Sequence, residues 1–317
     1  METRIIISQI FMLAVVVLIG AISTRFKVIT TEIKDMLSKL IFNISLPLML
    51  FTNFLRIGAT PELIANSLAV LGISGFVILL LFIIGWITSR LMKFSIDESA
   101  VFMAHSMFGN TIFLGFPLIH ALYGSEGLLY ATMFQLVSNI LMWTVGVVIL
   151  TQGNGVTWKK NILRVLNPNT IATVAGLVFF MFSLKLPEII VRPLAELGSA
   201  NTWLSMLYIG AMLVFANVAD LLKTKSLYII SFNRLILAPA ILVSVLYIFS
   251  EFAGFAPDKL VSSVIILEAS MPCMATVVVM AREFGADDRQ AVGNVFISTI
   301  FSIVTLPLVV MAINRFL

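Results

Sequence analysis

Long apolar runs separated by short polar stretches recur along the whole chain, and they predict helices that cross a bilayer. Runs of roughly 20 apolar residues lie at 5–23, 36–56, 63–90, 99–121 and 127–151. After a polar stretch at 151–168, further runs lie at 169–184, 200–222, 226–249, 259–281 and 287–314. The pattern predicts an all-α polytopic membrane protein with ten transmembrane helices, five on each side of the polar stretch. A first five-helix repeat is expected over 1–155, a cytoplasmic linker over 156–168 and a second repeat over 169–317. The run at 5–23 is too long for a cleaved leader, and Glu2 offsets Arg4 ahead of it. It is read as the first span.

Two of the runs are interrupted. In Phe108-Gly109-Asn110-Thr111-Ile112-Phe113-Leu114-Gly115-Phe116-Pro117, Gly109, Asn110, Gly115 and Pro117 all weaken a continuous helix. Glu268-Ala269-Ser270-Met271-Pro272-Cys273 breaks the ninth run in the same way. Backbone groups freed at membrane depth have no water to bond, so a broken helix persists only where it is buried in protein or lines a cavity. Interrupted spans at corresponding positions of two halves point to a transporter's binding site. The halves also correspond beyond the breaks, since His120-Ala121-Leu122-Tyr123-Gly124 closes the fourth span and Ala281-Arg282-Glu283-Phe284-Gly285 the ninth. With an odd number of spans each, such repeats are inverted relative to the membrane.

Composition strengthens the class without changing it. Of 317 residues, 60% are hydrophobic and 11% charged, more apolar surface than a soluble fold of this size could bury. Basic residues then set the orientation. Arg25, Lys27, Lys34, Lys39, Arg90, Lys93, Lys159, Lys160, Arg164, Lys223, Lys225, Arg234, Arg282 and Arg289 are assigned to the odd-numbered connections, 14 of the 20 Lys and Arg. Those connections are expected in the cytoplasm and both termini on the other side of a cell membrane. The single cysteine, Cys273, allows no internal disulfide. Neither Gly-x-Ser-x-Gly nor His-Glu-x-x-His occurs, so no enzyme, metal site or cofactor is expected. Nothing points to a nucleic-acid partner.

The motifs resemble those of the auxin efflux carrier family. Gly109-Asn110-Thr111, Gly115-Phe116-Pro117 and Tyr123-Gly124 are similar to that family's fourth-span motif, where plant members read Leu-Pro-Asn-Thr, Gly-Ile-Pro and Tyr-Gly. Asn167-Pro168-Asn169-Thr170 resembles the opening of its sixth span, and Met271-Pro272 with Ala281-Arg282-Glu283-Phe284 its ninth. The resemblance implies two inverted five-helix repeats in which broken helices four and nine cross. It also implies a scaffold of spans 1, 2, 6 and 7 that forms a homodimer, and a transport unit of spans 3–5 and 8–10 with elevator-type alternating access. Bacterial relatives of the short type are associated with dicarboxylates such as malate or malonate. Two departures stand out. Gly109 replaces the motif's proline, and Asn66-Ser67-Leu68-Ala69-Val70 replaces Asp-Ser-Leu-x-Lys at the third span, which removes both charges and speaks against auxin itself.

The expected substrate is therefore a small organic carboxylate, with an anion channel or a uniporter pore on the same fold as the alternative. A helix restarting after a break exposes backbone N–H groups and partial positive charge. At Gly109, Asn110 and Thr111, and at Pro272, Cys273 and Met274, two such starts are expected to bind the anion. With no Lys or Arg in the middle of either crossing span, backbone and Asn110 are expected to carry recognition, and Asn43 to face the substrate from the scaffold. His105 and Glu268 each lie about one turn before a break. Ionisable groups at membrane depth mark substrate or ion paths, so both are candidates for coupling to protons, with sodium as the other coupling ion.

Overall fold

A computed structural model describes residues 2–57, 60–152, 166–215, 222–253 and 258–316. Most of the expected linker and the final residue, Leu317, lie outside the described residues. The described chain is helical almost throughout. In order, the helices are α1 (Glu2–Arg25), α2 (Thr31–Leu40), α3 (Leu46–Arg56), α4 (Pro61–Leu91), α5 (Ile96–Met107), α6 (Phe116–Leu141) and α7 (Val147–Leu150). They continue with α8 (Pro168–Met181), α9 (Glu188–Phe215), α10 (Lys225–Phe232), α11 (Ala238–Ala253), α12 (Lys259–Ala269), α13 (Ala275–Phe284) and α14 (Asp288–Phe316). π-helical turns at Ile41–Ser45, Thr111–Gly115, Met142–Gly146 and Asn233–Leu237 carry the chain from one helix into the next.

Local chemistry explains several starts. The Ser95 hydroxyl accepts from Glu98 N (3.2 Å) at the head of α5. Asn167 Oδ1 accepts from Asn169 N and Thr170 N at α8, with Pro168 placed where its missing N–H costs nothing. Asp258 Oδ1 does the same for Leu260 N and Val261 N at α12. Inside α6, Gly124 adopts φ 64° and kinks the helix where the fourth and fifth apolar runs were expected to part.

Among the described residues, six helical stretches are long and apolar enough to cross a membrane: Thr31–Arg56, Pro61–Leu91, Thr111–Leu150, Glu188–Phe215, Lys225–Ile248 and Asp288–Phe316. Their outward faces are hydrophobic, with Phe76 62% and Val304 65% exposed. That is the arrangement lipid requires and water penalises.

The chain forms two compact units. One gathers Met1–Ala69, Ile112–Leu136 and Val165–Phe215. Here α1 packs on α9, backbone against backbone, because a Cβ at Gly20 would strike Leu207 and one at Gly210 would strike the Val17 carbonyl. The other unit gathers Val70–Thr111, Val137–Arg164 and Ala216–Leu317. Its α14 packs against α5, α10 and α13, and its interior is polar: His105, Arg234, Glu268, Asn294 and Ser298 are all at most 1% exposed.

Candidate functional site

The break after Met107, as far as Thr111, and the break after Ala269 both lie in this second unit, and they meet. Helix α5 stops at Met107, and Phe108 turns extended (φ −109°, ψ 117°). Helix α12 stops at Ala269, and Met274 is extended before α13 begins. The two extended pieces run antiparallel through a bridge between Gly109 and Cys273. Asn110 N donates to the Pro272 carbonyl (2.7 Å), and Met274 N donates to the Phe108 carbonyl (3.3 Å). Each break thus satisfies the other's backbone, which answers the problem of unpaired groups at membrane depth.

That pairing corrects one expectation. The N–H groups of Asn110, Thr111, Cys273 and Met274, read from the sequence as bare, are all engaged. Thr111 N reaches the Gly109 carbonyl (2.8 Å), and Cys273 N reaches the Ser298 hydroxyl on α14 (3.0 Å). The second restart lies one step further on, in the first turn of α13, where Val277 N donates to the Met274 carbonyl (3.2 Å). Its N-cap, Met274, supplies no side-chain acceptor.

The second correction concerns charge. Arg234, counted above among the cytoplasmic connections, is 1% exposed and sits on the π-helical turn Asn233–Leu237 between α10 and α11. Its Nε donates to the Met271 carbonyl (2.7 Å) and its Nη1 to the Ser106 (2.6 Å) and His105 (3.4 Å) carbonyls. One guanidinium therefore joins the C-terminal end of α5 to the segment that follows α12. Unpaired carbonyls and the negative end of the helix dipole collect at such ends, and a rigid, permanently charged fork is the side chain suited to them. The signal was present in the sequence: a lone arginine deep inside the run 226–249 is an intramembrane charge, and such charges are functional by default. The paired breaks are thus served by an arginine from the turn between α10 and α11, although neither interrupted run carries one in its middle.

The other candidates divide. His105 Nε2 lies 3.3 Å from the Met274 carbonyl, and Asn294 Nδ2 lies 3.0 Å from His105 Nδ1. An amide NH2 can only donate, so this pairing assigns the Nε2–H tautomer and uses both ring nitrogens. Glu268 is also fully buried, yet neither carboxyl oxygen has a hydrogen-bond partner. Asn110 and Thr111 are buried at the crossing, as are Pro272, Cys273 and Met274. Asn43 belongs to the other compact unit, where it is exposed and donates to the Lys39 carbonyl (2.9 Å).

Gly109 follows from Arg234. A Cβ at position 109 would land on Arg234 Nη2 and lie 3.1 Å from Met271 Cβ. The glycine that replaces the motif's proline and the buried arginine are therefore a matched pair. Gly109→Ala is expected to destabilise the protein by about 1–3 kcal/mol through overpacking, and Arg234→Gln should relieve part of that cost in the double variant. Thermal unfolding of the four proteins in detergent measures the coupling; strict additivity would separate the two residues.

Comparison with known proteins agrees with a transport role. A family described as membrane transport protein matches residues 5–163 and 154–310. An uncharacterized transporter of Methanothermobacter thermautotrophicus is 27% identical over 296 residues, covering 93% of this chain and 94% of the relative. One from Methanocaldococcus jannaschii is 24% identical over 310 residues, covering 94% and 96%. The uncharacterized transporter YfdV of Escherichia coli is 23% identical over 315 residues, covering 95% and 96%.

Proposed function

Because the chain belongs to the membrane transport protein family, that of the auxin efflux carriers, we propose that it is a secondary carrier of a small organic carboxylate. The observation that carries this reading is the pairing of two interrupted helices around Gly109 and Cys273, with a buried cation and an unpartnered carboxyl beside it. The carboxylate binds at this crossing, with Asn110 and the first turn of α13 as donors. Glu268 takes up a proton as the substrate binds. His105, with both ring nitrogens engaged, holds α5 to Met274 and Asn294. Transport follows an elevator-type cycle in which spans 3–5 and 8–10 move against a dimeric scaffold of spans 1, 2, 6 and 7. The compact units draw on both halves of the sequence, as such a division requires, but Ile112–Leu136 groups with the unit that holds spans 1, 2, 6 and 7.

Uptake into proteoliposomes of labelled indole-3-acetate, lactate, pyruvate, malonate, malate and succinate tests the function. A carrier gives saturable uptake of at least one of these, accelerated by the same compound on the far side. Failure of all six would refute a carboxylate carrier, and high unitary conductance would replace the carrier by a channel.

The same reading has ten crossings in two inverted repeats, with both termini outside the cytoplasm. Moving Arg234 into the membrane leaves the basic asymmetry in place. In a Cys273→Ser background, single cysteines at the exposed positions Gln152 and Arg315 are expected to react with an impermeant thiol reagent from opposite sides. Reaction of both from one side contradicts the topology.

A further inference from the structure

The interior of the second unit holds a cation and a carboxyl that do not bond to each other. All the acceptors of Arg234 are backbone carbonyls, which orient the guanidinium without cancelling its charge. Glu268 lies three residues before Met271, whose carbonyl accepts from Arg234 Nε, and both side chains are buried in this unit. The helices packed against α12 are α11 and α14, and between their ends neither brings a formal charge among the described side chains. His105 on α5 has both ring nitrogens engaged. Cys273 contributes a buried thiol. Helix α14 presents Asn294, Ser298 and Thr299 and keeps Asp288, Arg289 and Arg315 at its ends. On α11 the ionisable side chain described is Tyr247.

We propose that Arg234 is the fixed countercharge of the transport cycle, balancing ionised Glu268 when the site is empty and the substrate carboxylate when the site is loaded. Loading adds one negative charge to the core, and protonation of Glu268 from the same side removes one. The interior is neutral in both forms, so neither meets the penalty of carrying net charge through hydrocarbon. A monocarboxylate then crosses with one proton and without current. A dicarboxylate dianion leaves one negative charge unbalanced and must move against it. The inference rests on the carboxylate reading above and adds its charge selectivity: the interior is built for monoanions.

The test uses the whole protein in proteoliposomes, with a pH dye inside, labelled substrate outside and capacitive current recorded on a solid-supported membrane. The probes are lactate as monoanion and malonate at a pH where it is a dianion, each as a choline salt. Labelled lactate is expected to enter with internal acidification and no current above protein-free liposomes, whereas malonate entry carries inward negative current. In Glu268→Gln, lactate entry brings no proton and becomes current-carrying. Arg234→Lys keeps the wild-type electrical pattern at reduced rate, while Arg234→Gln weakens lactate uptake at least tenfold. Should that last variant not fold, wild type and Glu268→Gln decide alone. Lactate entry that carries current without acidification, or that requires sodium, overturns the inference and leaves the carboxylate reading standing. Entry of neither labelled probe takes the inference down, and the six-compound panel then judges the carboxylate reading on its own.

Discussion

Arg234→Gln is expected to lose about 3–5 kcal/mol of stability, the cost of removing one member of a buried charged network, and to reduce carboxylate uptake to the level of empty liposomes. Three carbonyls, those of His105, Ser106 and Met271, lose their donor at once. Each bond to a charged group is worth roughly 1.5–3 kcal/mol, and these carbonyls have no water to replace it. Glutamine offers two donors on a shorter arm and no charge, so it cannot reach both chain segments. Lysine restores the charge but not the fork; Arg234→Lys should recover part of the uptake and less of the stability. Thermal unfolding in detergent and uptake in proteoliposomes read the two effects separately. An Arg234→Gln protein with wild-type unfolding temperature and wild-type uptake would show that the crossing does not depend on this side chain.

Glu268→Gln has the second large effect, and it falls on accumulation rather than on folding. The carboxyl has no hydrogen-bond partner to lose, and glutamine imitates its protonated form in size and polarity. A carrier that moves one proton with each monocarboxylate can concentrate substrate about tenfold for each unit of inward pH gradient, since a factor of ten is about 1.4 kcal/mol. The variant has no proton to exchange at this position. Labelled lactate should still equilibrate across the membrane, but its inside-to-outside ratio should stay near unity whatever pH gradient is imposed. A Glu268→Gln protein that accumulates lactate as wild type does would leave Glu268 as a structural residue and move coupling elsewhere.

The positions of the two breaks are legible in the sequence because their causes are local. Gly109 and Pro272 disrupt helices by their own backbone properties, and both fall inside runs otherwise able to span. Gly124 is legible for the same reason. What happens between the breaks is not local. Whether Asn110 N or Met274 N is bare depends on which carbonyl lies opposite, and that carbonyl belongs to the other half of the chain. A helix restart read in isolation shows donors; paired with its counterpart it shows few. Arg234 illustrates a different failure. Its place inside an apolar run can be read from the sequence, but the basic residues just before the run's start, Lys223 and Lys225, make it look like part of a cytoplasmic connection. Its acceptors lie on two segments far from it in sequence. For Asn43 the sequence offers only a position within its span, and its amide donates to the Lys39 carbonyl one turn back, a local bond that competes with any ligand. His105 and Glu268 look equivalent in the sequence because each precedes a break. Only their surroundings separate a ring engaged at both nitrogens from a carboxyl engaged at neither.

Equilibrium binding tests most directly whether the carboxylate sits at the crossing. Lactate and malonate would be titrated into detergent-solubilised wild type and Asn110→Ala, with binding read as a rise in unfolding temperature with ligand concentration. Asn110 is buried at the bridge, and a hydrogen bond to a charged group contributes roughly 1.5–3 kcal/mol. Asn110→Ala is therefore expected to fold and to bind the carried carboxylate about ten- to hundredfold more weakly than wild type. A folded Asn110→Ala protein with wild-type affinity would place the substrate somewhere other than the crossing.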